Sequence, residues 1–410
     1  MGGDASPGAR LQDGIYWQSG RAPGEHLRLL ILHLTDDASI STVHSYLAAL
    51  WSMLQGLREG RAPDLAAENP GEPADYRVPT GELTALLGFG AALFGRAGQL
   101  GLLPSIARPR GVTTLLPLGP QGPFRTLRWD PTATVNDGEG AFCLQLIAKT
   151  EIAVARAAVA VARHLRKQPG APLRPGALYS GFHRDDRRSW IGFHDGLNNM
   201  RGEARAVAME TAAAGDTAWM DRGTFLTFLK VGVDLDAWDR VPRATQERMV
   251  GRTKLTGCPI HGWTVDGRPQ VSPGHPTDGH VPRPPIADWL DPPRESDEDA
   301  LRSHIHRSNL NRGDPRDDAN NRVFRQGYEF LDWGADGTPR VGLQFIGYAR
   351  SPAMVRNVLS TDGWMGDANF GGPADAPAIL SLLAGGVYAV PATAKPYPGA
   401  DLLISQTSDV

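Results

Sequence analysis

One acidic side chain stands between two glycines after an apolar segment, in the stretch WIGFHDGLNN at residues 190–199. Gly192 and Gly196 relax the backbone limits on either side of Asp195. A carboxylate held in this way can point into a cavity, where burial and neighbouring groups tune its pKa for proton transfer. An Asp-Gly pair is also an ordinary turn signal, and a turn without a catalytic role is the alternative. Catalysis therefore depends on partners elsewhere in the chain.

The sequence SHIH at residues 303–306 offers a candidate ligand for a metal. Neutral imidazole is the commonest metal ligand in proteins and a common axial ligand of haem iron. On a strand His304 and His306 face the same way and form a metal-binding pair, whereas on a helix they diverge and one remains as the ligand. With a carboxylate, the pair would also suit a non-haem metal. A solvated histidine in a polar helix is the alternative.

Cationic side chains supply a third kind of chemistry. Arg325 lies in VFRQGY, an otherwise apolar and strand-like segment, and its charge cannot be lost as a proton. It therefore needs a structural carboxylate or negative charge that develops on a ligand. Arg252 and Lys254, in GRTK, close a predicted helix, where cations are favourable in any case. They would also suit an anionic group of a cofactor.

The elements that position these residues follow from apolar periodicity. The first half predicts strands at 27–34, within 82–94 and at 142–148, with helices at 40–57 and from 150 to about 165. The second half predicts strands at 223–231, 323–330, 342–349 and 386–390, a helix from 234 through Met249, and a helix at 351–359. Residues 1–25 read as a loosely held arm, and 257–320 as a long functional or disordered segment.

This order of elements indicates an α+β protein of two ferredoxin-like units, a duplicated βαββαβ arrangement with antiparallel sheets packed together and helices outside. We place the N-terminal unit at 1–185 and the C-terminal unit at 186–410.

Composition narrows the class of protein. The chain has 410 residues, 41% hydrophobic and 21% charged, which is typical of a globular protein with a sizeable core. A net charge of -3 gives no argument for a nucleic acid or an anionic membrane as partner. Cys143 and Cys258 are too few for a disulfide framework, and Cys143 lies in an apolar run, as a buried thiol would. No stretch reads as a membrane span or a secretory signal, so we expect a cytoplasmic protein.

Several motifs together resemble those of the dye-decolourising haem peroxidases. The segment GFHDG at 192–196 resembles the family's GxxDG motif, and the other matching stretches occur in the family's order across nearly the whole chain. They are LQDGI (11–15), GTF (223–225), DLDAW (234–238), QERMVGRTK (246–254), SHI (303–305) and FRQGY (324–328).

The resemblance implies haem b, held mainly by the C-terminal unit, with His304 as the axial iron ligand. It implies Asp195 and Arg325 above the haem, Arg252 near a propionate, and His194 and Gly196 as further residues at the cofactor. The implied activity is reduction of hydrogen peroxide through a ferryl intermediate, with oxidation of a small-molecule electron donor such as a dye or a phenol. Whether the protein forms homo-oligomers stays open at this point.

Electron relay through an aromatic side chain would serve donors too bulky to reach a buried haem. Trp190, Trp333, Trp364 and Tyr328 are the candidates, although most such aromatics are packing residues.

Two departures from the family pattern keep other functions open. The segment after the motif reads LNNM at 197–200 in place of a Thr and then Asn-Pro. The region before the last strand, AILSL at 378–382, lacks the carboxylate that in the family often supports the axial histidine, and Asp375 is out of register with it. A specialised biosynthetic oxidase acting on one small molecule, or a haem-binding protein without enzymatic activity, are the alternatives.

Overall fold

A computed structural model gives the architecture. It describes residues 10–15, 24–61, 77–94, 101–112, 129–130, 138–167, 170–195, 202–255, 257, 303–307, 323–334, 337–359 and 379–405. Predictions for Gly196, Cys258, Trp364 and Asp375 fall outside these residues, as does most of the long segment 257–320.

The first half of the chain follows the order βαββαβ. Strand β3 is buried at every position because neighbouring strands pair with both of its edges and both of its faces are covered. Helix α1 begins at a capping box, in which Ser39 and Thr42 each satisfy the other's backbone N–H. The elements are β1 (His26–Leu34), α1 (Ile40–Arg58), β2 (Thr84–Gly90), β3 (Phe142–Ala148), α2 (Glu151–Lys167) and β4 (Leu173–Phe182).

The second half repeats this order with a more divided first crossover. The elements after β4 are α3 (Gly202–Met209), β5 (Thr224–Val233), α4 (Leu235–Asp239), α5 (Arg243–Val250), α6 (His304–Arg307), β6 (Phe324–Trp333), β7 (Pro339–Ala349), α7 (Pro352–Leu359), β8 (Leu380–Val390) and α8 (Ala400–Ser405).

All pairings between the strands are antiparallel, and the spatial order within each half is the same. The order is β4-β1-β3-β2 in the first half and β8-β5-β7-β6 in the second, which is the ferredoxin-like order with the fourth strand beside the first. The two sheets also join at their edges, through β2 with β8 and β4 with β6, to close one barrel. One apolar cluster, which includes Leu29, Phe228 and Tyr348, draws residues from both halves. The α+β class with two ferredoxin-like units is thus confirmed.

Several boundaries differ from the sequence prediction. Strand β4 was not predicted, because Pro175, Gly176 and Gly181 interrupt the apolar pattern of a strand whose first half is largely exposed. The helix predicted from 234 through Met249 is two helices, since Pro242 immediately precedes the first turn of α5. Helices α3 and α8 were also not predicted, and β8 begins six residues earlier than expected, at Leu380.

The prediction of a loosely held N-terminal arm is wrong for residues 10–15. The Gln12 amide is buried, donates to the carbonyls of Leu87 at 3.0 Å and Pro391 at 2.9 Å, and accepts from the Leu87 N–H at 2.8 Å. Leu11 and Ile15 pack into the cluster shared by the two halves. This segment therefore ties β2 to the residue that follows β8.

Cys143 is buried in β3, as its apolar surroundings suggested. Within the described ranges, no helix is both long and apolar enough to cross a membrane.

Candidate active site

Asp195 is presented by a tight hairpin that follows β4. The backbone pairs Arg188 with His194, and the N–H of Asp195 donates to the carbonyl of Arg187 at 3.1 Å. At the tip Gly192 has a φ of +90°, a conformation that glycine adopts without strain. The sequence reading of Gly192 as a residue that frees the backbone near Asp195 is therefore consistent with the fold.

The hairpin folds onto the outer face of β6 and brings Asp195 to Arg325. The closest carboxylate oxygen of Asp195 lies 3.9 Å from Nη1 of Arg325, and the side chains are 39% and 36% exposed. A pair this open to water contributes little to stability. The anionic partner that the sequence required for Arg325 is thus close by.

A glycine on β6 makes this approach possible. Gly327 lies two residues after Arg325, on the same face of the strand. A Cβ atom added to Gly327 would stand 2.8 Å from Oδ2 of Asp195. Any larger residue would push the carboxylate away from the strand, so Gly327 fixes how closely Asp195 packs on β6.

The next residue on this face is a buried acid, Glu329, which the sequence reading did not single out. Its Oε2 accepts the backbone N–H of Trp190 at 3.1 Å. Burial raises the pKa of the Glu329 carboxyl to about 8, with a smaller contribution from the charge of Asp195, although the hydrogen bond from the Trp190 N–H by itself favours the ionised form. A Glu at the same strand parity as Arg325, in the apolar run YEF, was the signal available in the sequence.

His304 begins the short helix α6. Its side chain is partly buried, and loss of solvation, followed by the positive charges of Arg325 and Arg252, lowers the pKa of the imidazole to about 3. The ring is therefore neutral near pH 7, the form that binds metals. The electrostatic link to Arg325 places His304 in the same region as the hairpin, although it lies on a different element.

The helical backbone bears on the choice between the two histidines. Residues 304–307 are helical, which is the case in which the sequence analysis expected the two histidines to diverge and one to remain as the ligand. The side chain of His306 lies outside the described part of the structure, and the rival non-haem site stays a prediction. Among the described residues, no group of three or more His, Cys, Asp or Glu side chains is arranged to hold a metal ion.

A turn after α5 supports the His304 helix. Gly251 caps α5 with a φ of +82°, and a Cβ there would lie 2.7 Å from both Oγ of Ser303 and Cγ1 of Ile305. Arg252, the next residue, is buried and donates to the carbonyl of Gly257 at 2.8 Å. The glycine lets the turn and α6 touch, which sets the position of His304.

Arg188 connects this turn to the hairpin. Its guanidinium donates to the carbonyls of Gly192 at 2.8 Å and Leu255 at 3.0 Å, and also to that of Lys254. One side chain thus holds the segment that carries Asp195 against the segment that carries Arg252. No feature of the sequence indicates this role, because it depends on the carbonyls of Lys254 and Leu255, which are distant along the chain.

The remaining cationic and imidazole candidates line the same region. The Lys254 ammonium lies 5.5 Å from the ring centres of both Phe193 and Trp238, and burial, then the charge of Arg243, lowers its pKa. His194 is partly buried, and burial followed by the charge of Arg188 lowers its pKa, so it is neutral near pH 7.

The aromatic candidates for electron relay differ in exposure. Trp333 is 70% exposed, whereas Tyr328 is 1% exposed and donates its hydroxyl to the carbonyl of Gly24. Trp190 is partly buried and donates its indole N–H to the carbonyl of Phe330 at 3.0 Å. Of the three candidates that the structure describes, Trp333 is therefore exposed, Trp190 partly buried and Tyr328 buried.

Comparison with known proteins identifies the family of the chain. Residues 186–395 match the family model described as Dyp-type peroxidase, C-terminal, which covers more than half of the chain. The chain belongs to the Dyp-type peroxidase family. The dye-decolorizing peroxidase of Thermobifida fusca (strain YX) is 27% identical over 150 residues, which are 36% of this chain and 30% of that protein. This sequence match thus spans less than a third of that relative's length.

Solved structures share the fold over nearly the full length. Ferric DtpA from Streptomyces lividans superposes with a TM-score of 0.67 at 21% identity, covering 98% of this chain and 97% of that one. A variant of DypB from Rhodococcus jostii RHA1 in complex with heme superposes with a TM-score of 0.60 at 16% identity, covering 96% and 98%. At these identities the similarity is one of fold.

Proposed function

We propose that this chain is a haem-dependent peroxidase that reduces hydrogen peroxide and oxidises a small organic donor of the dye or phenol type. The observation that carries the proposal is the convergence of three groups. The carboxylate of Asp195 and the guanidinium of Arg325 lie 3.9 Å apart, and the charge of Arg325 acts on the neutral imidazole of His304. Membership of the Dyp-type peroxidase family gives the activity independent support.

The described residues fit haem b as the cofactor. His304 offers a neutral imidazole as axial ligand, and Arg252 a guanidinium for one of the haem carboxylates. His194, beside Asp195, and Gly196, which the structure does not describe, remain proposed residues at the cofactor. When bound, the haem iron would supply the redox chemistry and the position at which peroxide reacts. The DypB structure in complex with heme supports the same choice of cofactor.

Asp195 is proposed to move the proton. One oxygen of its carboxylate accepts a proton from the peroxide and returns it to the departing oxygen, so that a single side chain acts as base and then as acid. The hairpin and Gly327 hold the carboxylate in place without burying it, since it is 39% exposed. Water and peroxide therefore have access to the group that exchanges protons.

Arg325 is proposed to stabilise negative charge on the leaving oxygen. A guanidinium keeps its charge at every physiological pH and donates several hydrogen bonds in a fixed geometry. Its position on strand β6, next to Asp195, allows one bound molecule to contact both side chains. Asp195 would thus transfer the proton next to the position at which Arg325 stabilises the developing charge.

The finer organisation is part of the same proposal. The repeated strand order supports two units at 1–185 and 186–410, with the cofactor residues all in the second. The start of the family match at residue 186 supports the same division. Cytoplasmic location, the identity of the donor and the oligomeric state stay predictions from the sequence.

The test is the absorption spectrum of the purified protein before and after one equivalent of hydrogen peroxide. We expect a Soret band that shifts promptly after mixing. A Soret band that stays in place or only bleaches would favour a haem-binding protein without peroxidase activity. No Soret band after addition of haemin would remove His304 as the ligand and reopen the non-haem site.

A second candidate function draws support from the strand that follows the predicted proximal region. Residues 379–382 at the start of β8 carry no carboxylate that could support His304, unlike the usual family pattern. Without this carboxylate the general peroxidase activity should be weaker, which a specialised oxidase that acts on one small molecule does not need. Steady-state assays with several dyes separate the two, because the specialised enzyme would oxidise all of them slowly.

A further inference from the structure

Glu329 occupies the point at which the barrel closes and the hairpin docks. Among the described residues, the pairing of Phe182 with Glu329 is the one register contact between β4 and β6. The side chain of Glu329 projects on the same face of β6 as Arg325 and Gly327. Its Oε2 accepts the N–H of Trp190, five residues before Asp195 in the hairpin. The carboxyl group is therefore the link between β6 and the segment that carries Asp195.

Among the residues that the structure describes, the charges that act on this carboxyl group do not include a strong counter-ion. Asp195 and Asp186 act on it unfavourably, and Arg184 acts favourably. Arg184, however, already donates two hydrogen bonds to Asp186, at 3.0 and 2.8 Å. On strand β7 the residue opposite Glu329 is the apolar Leu343. With a 6% exposed side chain, Glu329 is more stable with its proton than without it.

We propose that Glu329 is a positioning residue for Asp195: the uncharged carboxylic acid of Glu329 holds the hairpin on β6 and adds no second negative charge beside Asp195. The predicted effect on the reaction with peroxide rests on the proposed peroxidase function. The charge state of Glu329 and its hydrogen bond to the hairpin do not. Two neighbouring carboxyl groups with like charge disfavour joint ionisation. A neutral Glu329 avoids this repulsion while it still accepts the hydrogen bond from Trp190.

Loss of the Glu329 proton at alkaline pH should change the rate of the reaction with peroxide. Burial raises the pKa of this carboxyl to about 8, so the group loses its proton as the pH rises through that value. The new negative charge would act on Asp195 and strengthen its hold on an accepted proton. The reaction with peroxide should therefore slow with a midpoint near pH 8, which a residue with a purely structural role would not cause.

Infrared difference spectra of the full chain test whether the carboxyl group of Glu329 carries a proton. Between about pH 6 and about pH 10, ordinary Asp and Glu side chains are ionised throughout. We expect one carbonyl band of a protonated carboxyl group to disappear with a midpoint of about 8. Glu329→Gln should lack this band, and Asp332→Asn, a control on the same strand, should keep it. A band that persists in Glu329→Gln would overturn the proposal, and so would the absence of a band in the wild type.

Hydrogen exchange of the Trp190 amide tests the docking of the hairpin. Glu329→Gln keeps an acceptor oxygen, so protection of this amide should stay near the wild-type value. Glu329→Ala removes the acceptor, and exchange should accelerate about fivefold or more, the effect of losing one ordinary hydrogen bond. Equal exchange in the wild type and in Glu329→Ala would contradict the link.

The pH profile of the haem-loaded protein completes the test. The wild type should lose reaction rate with peroxide around pH 8, and Glu329→Gln should show no transition there. A transition that remains in Glu329→Gln would assign it to another group and overturn the proposed role. Should the protein bind no haem, the infrared and exchange results still decide the state of Glu329, so failure of the function and failure of this inference are distinguishable.

Discussion

The carboxylate of Asp195 stands 3.9 Å from the guanidinium of Arg325, although one lies in a hairpin after β4 and the other within β6. The two meet because the hairpin packs across the strand at Gly327, where a side chain would collide with the carboxylate. The hydrogen bond from the Trp190 N–H to Glu329, two residues after Gly327 on β6, also holds the hairpin against this strand. One face of β6 therefore positions both Asp195, the proposed proton-transfer group, and Arg325, the proposed charge-stabilising group.

Asp195→Asn should slow the first reaction with peroxide by about a hundred- to ten-thousand-fold, the usual contribution of a general acid–base group. An amide has nearly the shape of the carboxylate but cannot accept the proton. Stopped-flow absorbance of the haem-loaded protein after mixing with peroxide measures the rate. Asp401→Asn, an exposed carboxylate on α8, is the control. A wild-type rate in Asp195→Asn would leave Arg325 as the main catalyst.

His304→Ala should abolish stable haem binding, because the axial nitrogen is the group expected to hold the iron. Titration with haemin, followed at the Soret band, measures the affinity. His306→Ala serves as the matched variant two residues along the same helix. Full retention of haem in His304→Ala together with loss in His306→Ala would transfer the ligand role to His306.

Gly251→Ala should destabilise the fold by about 1–3 kcal/mol, since the added Cβ meets Ser303 and Ile305 and the residue has a positive φ. Gly337→Ala is a matched control, with a φ of +79° and no neighbour within 4 Å of its Cβ. Chemical denaturation of both variants separates backbone strain from the clash. Equal losses of stability would mean that the contact between the turn and α6 does not constrain His304.

Glu329→Gln should change how stability depends on pH. The folded state raises the pKa of Glu329 from 4.5 to about 8, so between these values the folded protein keeps a proton that the unfolded chain releases. Stability from this group is therefore greatest below pH 4.5 and falls as the pH rises towards 8, by up to about 1.4 kcal/mol per pH unit. The difference between variant and wild type in urea denaturation at several pH values measures this slope.

A difference that stays constant from about pH 5 to about pH 8 would show that Glu329 titrates as an ordinary carboxyl group. Asp332→Asn, an acid-to-amide change on the same strand, is the control for the substitution as such.

The sequence by itself determined the class of fold and the candidate residues. Apolar runs such as 142–148 and the helical spacing of 40–57 gave most elements within a few residues, because burial and periodicity are local properties of the chain. The motif order gave Asp195, Arg325, His304 and Arg252. The sequence did not predict β4, since one proline and two glycines interrupt its apolar pattern, its first half is largely exposed and its partner strands are distant in the chain.

Only the tertiary structure decided how these residues are arranged. The edges of the two sheets close a barrel, and residues 10–15 are fixed by the buried amide of Gln12, which no local pattern revealed. The roles of Arg188 and Glu329 arise from a carbonyl and an N–H group that are far away in the chain, those of Leu255 and Trp190. Hydrogen bonds to the backbone depend on where the chain lies in space and not on residue type. The contacts that support the site could therefore not be predicted from the sequence.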